Sequence, residues 1–243
     1  MTRSRARHGR ENSGHDEFSG PIPLSRAGAS ATDADLEADR ARALRIVPVS
    51  RETIVRLDAF VALLLKWQQI TNLVAPSTLS HVWTRHIADS LQLLRLAPEA
   101  RTWVDLGSGG GFPGLVLACA LPEMGGRIQL IESNAKKSAF LREAARVLAV
   151  PALVHDARIE DFTASFDESV DVVTARALAP LDRLLTYAAP LLKSGAQGLF
   201  LKGRDVDAEL TEATKYWILD AGLVPSKTSA HGRIVVVRAA TRR

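Results

Sequence analysis

Five glycines fall in the run Val104-Asp105-Leu106-Gly107-Ser108-Gly109-Gly110-Gly111-Phe112-Pro113-Gly114. An apolar strand, a turn without side chains and a helix behind it would bring free backbone N–H groups up to a nucleotide-type ligand. In an open α/β sheet that ligand lies at the carboxyl edge of the strands. The spacing narrows the chemistry. A dinucleotide fingerprint needs glycine where Phe112 stands, and no Lys-Ser/Thr pair follows to complete a phosphate-binding P-loop. Hydride transfer and nucleotide hydrolysis both lose ground.

The pattern Asp105-x-Gly107-x-Gly109-x-Gly111 resembles the first motif of class I methyltransferases, where the turn holds the amino-acid end of S-adenosylmethionine. Leu130-Ile131-Glu132 then places a carboxylate about one strand-helix unit further on. An acid there can accept both ribose hydroxyls of a nucleoside, each charge-assisted bond being worth about 1.5 to 3 kcal/mol. A solvated strand-end acid is the plainer reading of Glu132, and an ordinary tight turn that of the glycines alone.

Further candidates follow later strands. Ile159-Glu160-Asp161-Phe162 would bracket an adenine, against the simpler reading of a polar loop. Arg176 and Lys202 close the fourth and fifth expected strands, so two cations converge on the rim where α/β enzymes place ligands. Arg85, His86 and Asp89 form a polar cluster ahead of the glycines. Arg85 and Asp89 stand four apart, so either an ion pair on one helical face or the lining of an RNA entrance would account for them. His86 is read either as part of that entrance or as a packed tie between helices and sheet.

The elements that must position these residues are legible from periodicity. Residues 33–99 read as a small helical subdomain: Ser50 caps a helix running to Trp67, and a second stretch from about Ser77 to Leu96 ends before Pro98. From residue 100 to 243 strands and helices alternate, predicting a mainly parallel seven-stranded, Rossmann-like sheet. Strands are expected at 103–106, 127–131, 152–155, 170–174, 198–201, 223–227 and 233–238, and helices at 113–120, 135–149, 181–192 and 206–221. The last two strands are close enough to form an antiparallel C-terminal hairpin. Residues 1–32, rich in Gly, Ser, Arg and Pro, read as a disordered basic arm.

Charge adds little beyond that arm. Arg3, Arg5, Arg7 and Arg10 account for as much charge as the chain's whole surplus of +4, so the body is neutral. No apolar run is long enough to cross a bilayer, and without an apolar stretch after the basic N-terminus no secretory signal is expected. The single Cys119 fits a reducing compartment, which points to the cytoplasm. A monomer without metal is expected.

Taken together, Lys66-Trp67 with Asn72-Leu73, Arg85-His86-Ile87-Ala88-Asp89-Ser90, the loop from Asp105 to Gly114, Arg158 with Glu160, Ala175-Arg176-Ala177 and Leu201-Lys202-Gly203 closely resemble the bacterial 16S rRNA methyltransferase G family. The resemblance runs from about Leu63 to Lys202 and more loosely to Arg238. It implies N7-methylation of a guanine in the decoding-region loop of 16S rRNA, conventionally position 527, with S-adenosylmethionine as cofactor and rRNA or the small ribosomal subunit as partner. It further implies cofactor contacts from Gly107, Phe112, Ile159, Glu160 and Arg176. Gly110 departs from the family in standing where a proline is frequent.

Guanine N7 carries an in-plane lone pair and no proton, so no general base is required. Proximity and alignment should carry catalysis, with the base leaving its stack. Lys202 or Arg176 is expected to hold guanine O6 or a phosphate, with Arg85 and His86 on the RNA side. The rival reading is a small-molecule methyltransferase, which an apolar lid would favour; an open basic rim favours RNA.

Overall fold

The computed structural model describes residues 32–243. The expected basic arm lies outside that range except for Thr32. Its hydroxyl accepts the Asp35 amide and so caps α1 (Asp33–Ile46). Helix α2 (Arg51–Gln68) begins, as expected, behind Ser50, whose Oγ accepts the Thr53 amide at 3.0 Å.

Residues 76–96 do not form the single helix that their apolar spacing predicts. A 3-10 turn (Pro76–His81), a π-type turn (Trp83–Ala88), the short helix α3 (Asp89–Leu91) and another 3-10 turn (Gln92–Leu96) follow one another. The π-type turn is capped from outside. Asp39 of α1, only 2% exposed, accepts the Trp83 and Thr84 amides at 2.9 and 3.0 Å and the Thr84 hydroxyl at 2.6 Å. A carboxylate from a neighbouring helix thus takes the place of an N-cap.

Seven strands form one sheet, β1 (Thr102–Leu106), β2 (Arg127–Glu132), β3 (Ala152–Asp156), β4 (Val172–Arg176), β5 (Gln197–Lys202), β6 (Trp217–Pro225) and β7 (Arg233–Arg242). Their order is β3-β2-β1-β4-β5-β7-β6. The first five run parallel, while β7 pairs antiparallel with β5 and β6 antiparallel with β7. The strand order reverses between β1 and β4, which opens a crevice above their carboxyl ends.

Helices α4 (Gly114–Met124), α5 (Ala135–Leu148), α6 (Ile159–Ser165), α7 (Leu181–Lys193) and α8 (Val206–Ala213) connect the strands. The described residues share two cores, one on each face of the sheet. Leu57, Phe60, Trp83 and Leu93 lie in the same core as Trp103, Leu115 and Ile128, so the N-terminal helices complete the core of the sheet rather than building their own. This explains why α4 is buried on all sides from Leu115 to Leu121: the sheet covers one flank and α2 the other.

Two expectations change. The helix expected over 206–221 ends at Ala213, and a strand starts at Trp217. Trp217, Leu219 and Ala221 alternate toward the second core, a period of two that pairing with β7 enforces. The polar loop after β3 is instead the two-turn α6, starting at Ile159.

Candidate active site

The glycine turn leaves β1 at the crevice. Gly107 has φ +70°, and a Cβ there would stand 2.6 Å from Leu178 Cδ1, in the segment that follows β4. The left-handed φ is what favours glycine here, since the Leu178 tip could shift while the backbone strain would remain. Asp105 secures the turn from below. With no exposed surface, its carboxylate accepts the Gly114 amide at 3.1 Å and the Thr174 hydroxyl at 3.0 Å. A Cβ on Gly114 would fall 2.5 Å from that oxygen. Burial pushes the Asp105 carboxyl up to about 7, with the Ser108, Thr174 and Gly114 hydrogen bonds opposing. Asp105 therefore acts on the loop, from beneath it.

Parallel register sets Leu106 beside Ile131, which brings Glu132 to the level of the turn. Its carboxylate accepts the Gly109 amide at 2.9 Å and the Asn134 amide at 2.8 Å. Glu132 and the glycines are thus brought together as the spacing predicts. Ile159 begins α6 and packs on the second core, and Glu160 pairs with Arg158 at 3.7 Å on the surface. Phe112 is placed differently. It is 7% exposed, with its ring centroid 5.4 Å from that of Phe60 and 4.9 Å from that of His86, so its side chain packs in the core.

The cluster Arg85, His86 and Asp89 is divided by the π-type turn. A helical ion pair needs neighbours four apart on one face; here Asp89 turns instead to Arg176, 3.6 Å from its Nε, while Arg176 Nη2 donates to the Arg85 carbonyl at 2.8 Å. His86 is 8% exposed, and its Nε2 meets Thr78 Oγ1 at 2.9 Å. Burial first, then the Arg176 and Arg85 charges, push its imidazole down to about 3. It ties the helices to the glycine turn through Phe112 and does not line the basin described next.

Arg85, Asp89, Arg176 and Lys202 border an open basin of about 890 Å³. Lys202 is firmly held: its Nζ donates to the Ala179 carbonyl at 2.8 Å and meets Glu209 Oε2 at 2.5 Å. Antiparallel pairing sets Arg233 at the start of β7 directly beside Lys202 at the end of β5, so the hairpin turn rises at the same edge as the parallel strands' carboxyl ends. Arg42, Arg204 and Arg233, with His81 and His231, complete the basic wall. None of these five stood out in the sequence. They come from α1, the turns flanking the sheet and the hairpin, and no common motif links them. The lining is polar and cationic, without an apolar lid among the described residues.

Two groups packed behind the turn are held away from proton transfer. His86 is buried and neutral, and burial pushes the Cys119 thiol up to about 12 inside α4. Among the described residues no helix is long and apolar enough to cross a membrane, and no cluster of three His, Cys, Asp or Glu could hold a metal ion.

The architecture matches solved methyltransferases that share little sequence with it. An O-methyltransferase from Bacillus cereus in complex with SAH superposes with TM-score 0.55 at 16% identity, over 83% of this chain and 97% of that one. The O-methyltransferase TomG from Streptomyces achromogenes, in complex with SAM, gives 0.55 at 15%, over 83% and 96%. Sequence similarity is far greater to ribosomal RNA small subunit methyltransferase G of a Bradyrhizobium species, 59% identical over 88% of this chain and 97% of that protein. Its counterpart in Rhodopseudomonas palustris is 60% identical over 86% and 90%. The family model for rRNA small subunit methyltransferase G matches residues 53–235, from the helices that complete the core to the strand carrying Arg233, and the chain belongs to that family.

Proposed function

We propose that the protein transfers a methyl group from S-adenosylmethionine to N7 of a guanine in the decoding-region loop of 16S rRNA, conventionally position 527, acting as a monomer in the cytoplasm on RNA of the small ribosomal subunit. The observation that carries this reading is the juxtaposition of two unlike surfaces at one sheet edge: a backbone-lined turn with a carboxylate, and an open basin walled by arginines.

The residues present fit the cofactor. Gly107 takes a left-handed φ that a side chain would strain, and Glu132 is an acceptor at the level of the turn, suited to a nucleoside's ribose. When bound, S-adenosylmethionine supplies an electrophilic methyl on its sulfonium. Gly107, Gly109, Gly111, Glu132, Ile159 and Glu160 are the residues assigned to hold it, with Asp105 and Phe112 shaping the turn from inside the core. Guanine N7 needs no proton removed, and its own lone pair can attack without a poised base beside the basin. Orientation is then the protein's main contribution. Arg176 is the better-placed cation for guanine O6 or a flanking phosphate. Its Nη1 is buried with no hydrogen-bond partner among the described residues, whereas Lys202 is already engaged by Glu209 and Ala179.

An open cationic rim speaks against the small-molecule alternative, which calls for an apolar enclosure. The decisive assay incubates the protein with methyl-labelled cofactor and small subunits lacking the modification, then digests the RNA. Label in 7-methylguanosine is the expected result. Label confined to small metabolites would transfer the reading to the alternative.

A further inference from the structure

Arg42, Arg85, Arg204 and Arg233 form no ion pair among the described residues, although all four border the basin. The acids Asp89 and Glu209 are taken up by Arg176 and Lys202, which leaves Asp205 as the one unpaired carboxylate among the described residues of this wall. Arg42, Arg85 and Arg204 are exposed. Arg233 is oriented by its own loop, its Nη1 donating to the Ala230 and Gly232 carbonyls at 3.0 and 2.8 Å. Hydrogen bonds to carbonyls direct a guanidinium without neutralising it.

The wall holds together through one carboxylate. Asp89 Oδ1 accepts Thr228 Oγ1 at 2.7 Å, Gln92 Nε2 at 2.8 Å and Ser226 Oγ at 3.0 Å, while Gln92 Oε1 accepts the Lys227 amide at 2.9 Å. Helix α3 is thereby joined to the loop between β6 and β7, more than 130 residues away in sequence. This clamp anchors the hairpin loop to the helices flanking the basin.

We propose, resting on the RNA-methylating reading above, that the β6–β7 loop, clamped to α3 by Asp89, completes a four-arginine cradle for the RNA backbone on either side of the target base. Arg42, Arg85, Arg204 and Arg233 hold phosphates, and Asp89 is a positioning residue. Guanidinium forks match phosphate oxygens, and charge-assisted hydrogen bonds of this kind supply affinity without reading sequence. The glycine turn and Glu132 do not border the basin, so the cradle acts on RNA binding separately from cofactor binding.

The test uses the full chain and unmethylated small subunits. It measures KM for the subunit, kcat, the slope of log KM against log salt, and cofactor Kd by calorimetry. In the Arg42→Gln/Arg204→Gln double variant, both sites being exposed, KM should rise about tenfold or more and the salt slope should fall by about 0.7 for each phosphate no longer held. Cofactor Kd and kcat should hold. Thr228→Val should raise KM with cofactor Kd unchanged, and Thr228→Ser, which keeps the hydroxyl, should restore it. A double variant with the parent's KM and salt slope overturns the cradle while leaving the methylation reading intact. A silent Thr228→Val overturns the clamp. A parent protein that methylates no small-subunit RNA overturns the reading beneath, and the cradle with it.

Discussion

The two halves of the crevice are built by opposite means. On the glycine side, the chain is backbone within one short stretch, whose amides are pinned by Asp105 and Glu132 through hydrogen bonds of 2.8 to 3.1 Å. On the basin side, the facing groups are long cationic side chains drawn from residues 42 to 233. On the proposed reading, the first half takes a small, constant cofactor and benefits from rigidity, and the second meets a polyanion, where arginine reach and charge matter more than exact placement. The contrast explains why a local strand-turn-helix motif suffices for the first, while the second depends on how distant elements meet.

The largest effect should come from disturbing the rigid half. Gly107→Ala places a side chain at φ +70° and against Leu178. A left-handed conformation costs a non-glycine residue about 1 to 2 kcal/mol, which corresponds to a rise in cofactor Kd of up to about thirtyfold in calorimetry. An unchanged Kd would mean that the turn does not hold the cofactor.

A smaller loss is expected from Asp89→Asn. The amide keeps an oxygen for the Thr228 and Ser226 hydroxyls but turns an N–H₂ group toward Arg176. Methylation of small subunits should fall about tenfold in kcat/KM, equivalent to about 1.4 kcal/mol, with the loss greater than any change in cofactor Kd. Equal losses on both sides would show that the halves are not separable.

The smallest effects concern stability, and they carry opposite signs for two groups buried behind the glycine turn. Asp105, raised by burial to about 7, keeps its proton when folded. Its contribution is complete below the ordinary carboxylate value of 3.8 and drains away as pH rises toward about 7. His86, lowered to about 3, stays neutral when folded; its contribution is present above the ordinary 6.5 and is lost as pH falls toward about 3. Denaturant unfolding across pH 4 to 7 should therefore show Asp105→Asn gaining on the parent as pH rises, and His86→Gln gaining as pH falls. Slopes of the same sign would contradict the burial of one of the two groups.

Much of the fold was legible because it rests on short-range patterns. Buried parallel strands read as apolar runs, and the helices between them carry apolar residues at helical spacing. Residues 206–221 misled because Leu210, Ala213 and Trp217 also suit a helix, until pairing with β7 selects the period of two in Trp217, Leu219 and Ala221. Residues 76–96 misled because their helical spacing gives no sign that Asp39, 44 residues before Trp83, caps a turn in their middle. The ion-pair reading of Arg85 and Asp89, one of the two their spacing allowed, fails for the same reason.

From the chain alone came the glycine turn, Glu132 at the next strand end, and the cations closing β4 and β5, since each follows from spacing within one strand-helix unit. Tertiary structure alone decided that His86 and Phe112 pack inward, that Asp89 serves Arg176 and the hairpin loop, and that Arg42, Arg204 and Arg233 share a wall. Burial and charge pairing depend on which surfaces meet, and an antiparallel strand added beside β5 brings the far end of the sequence to the site.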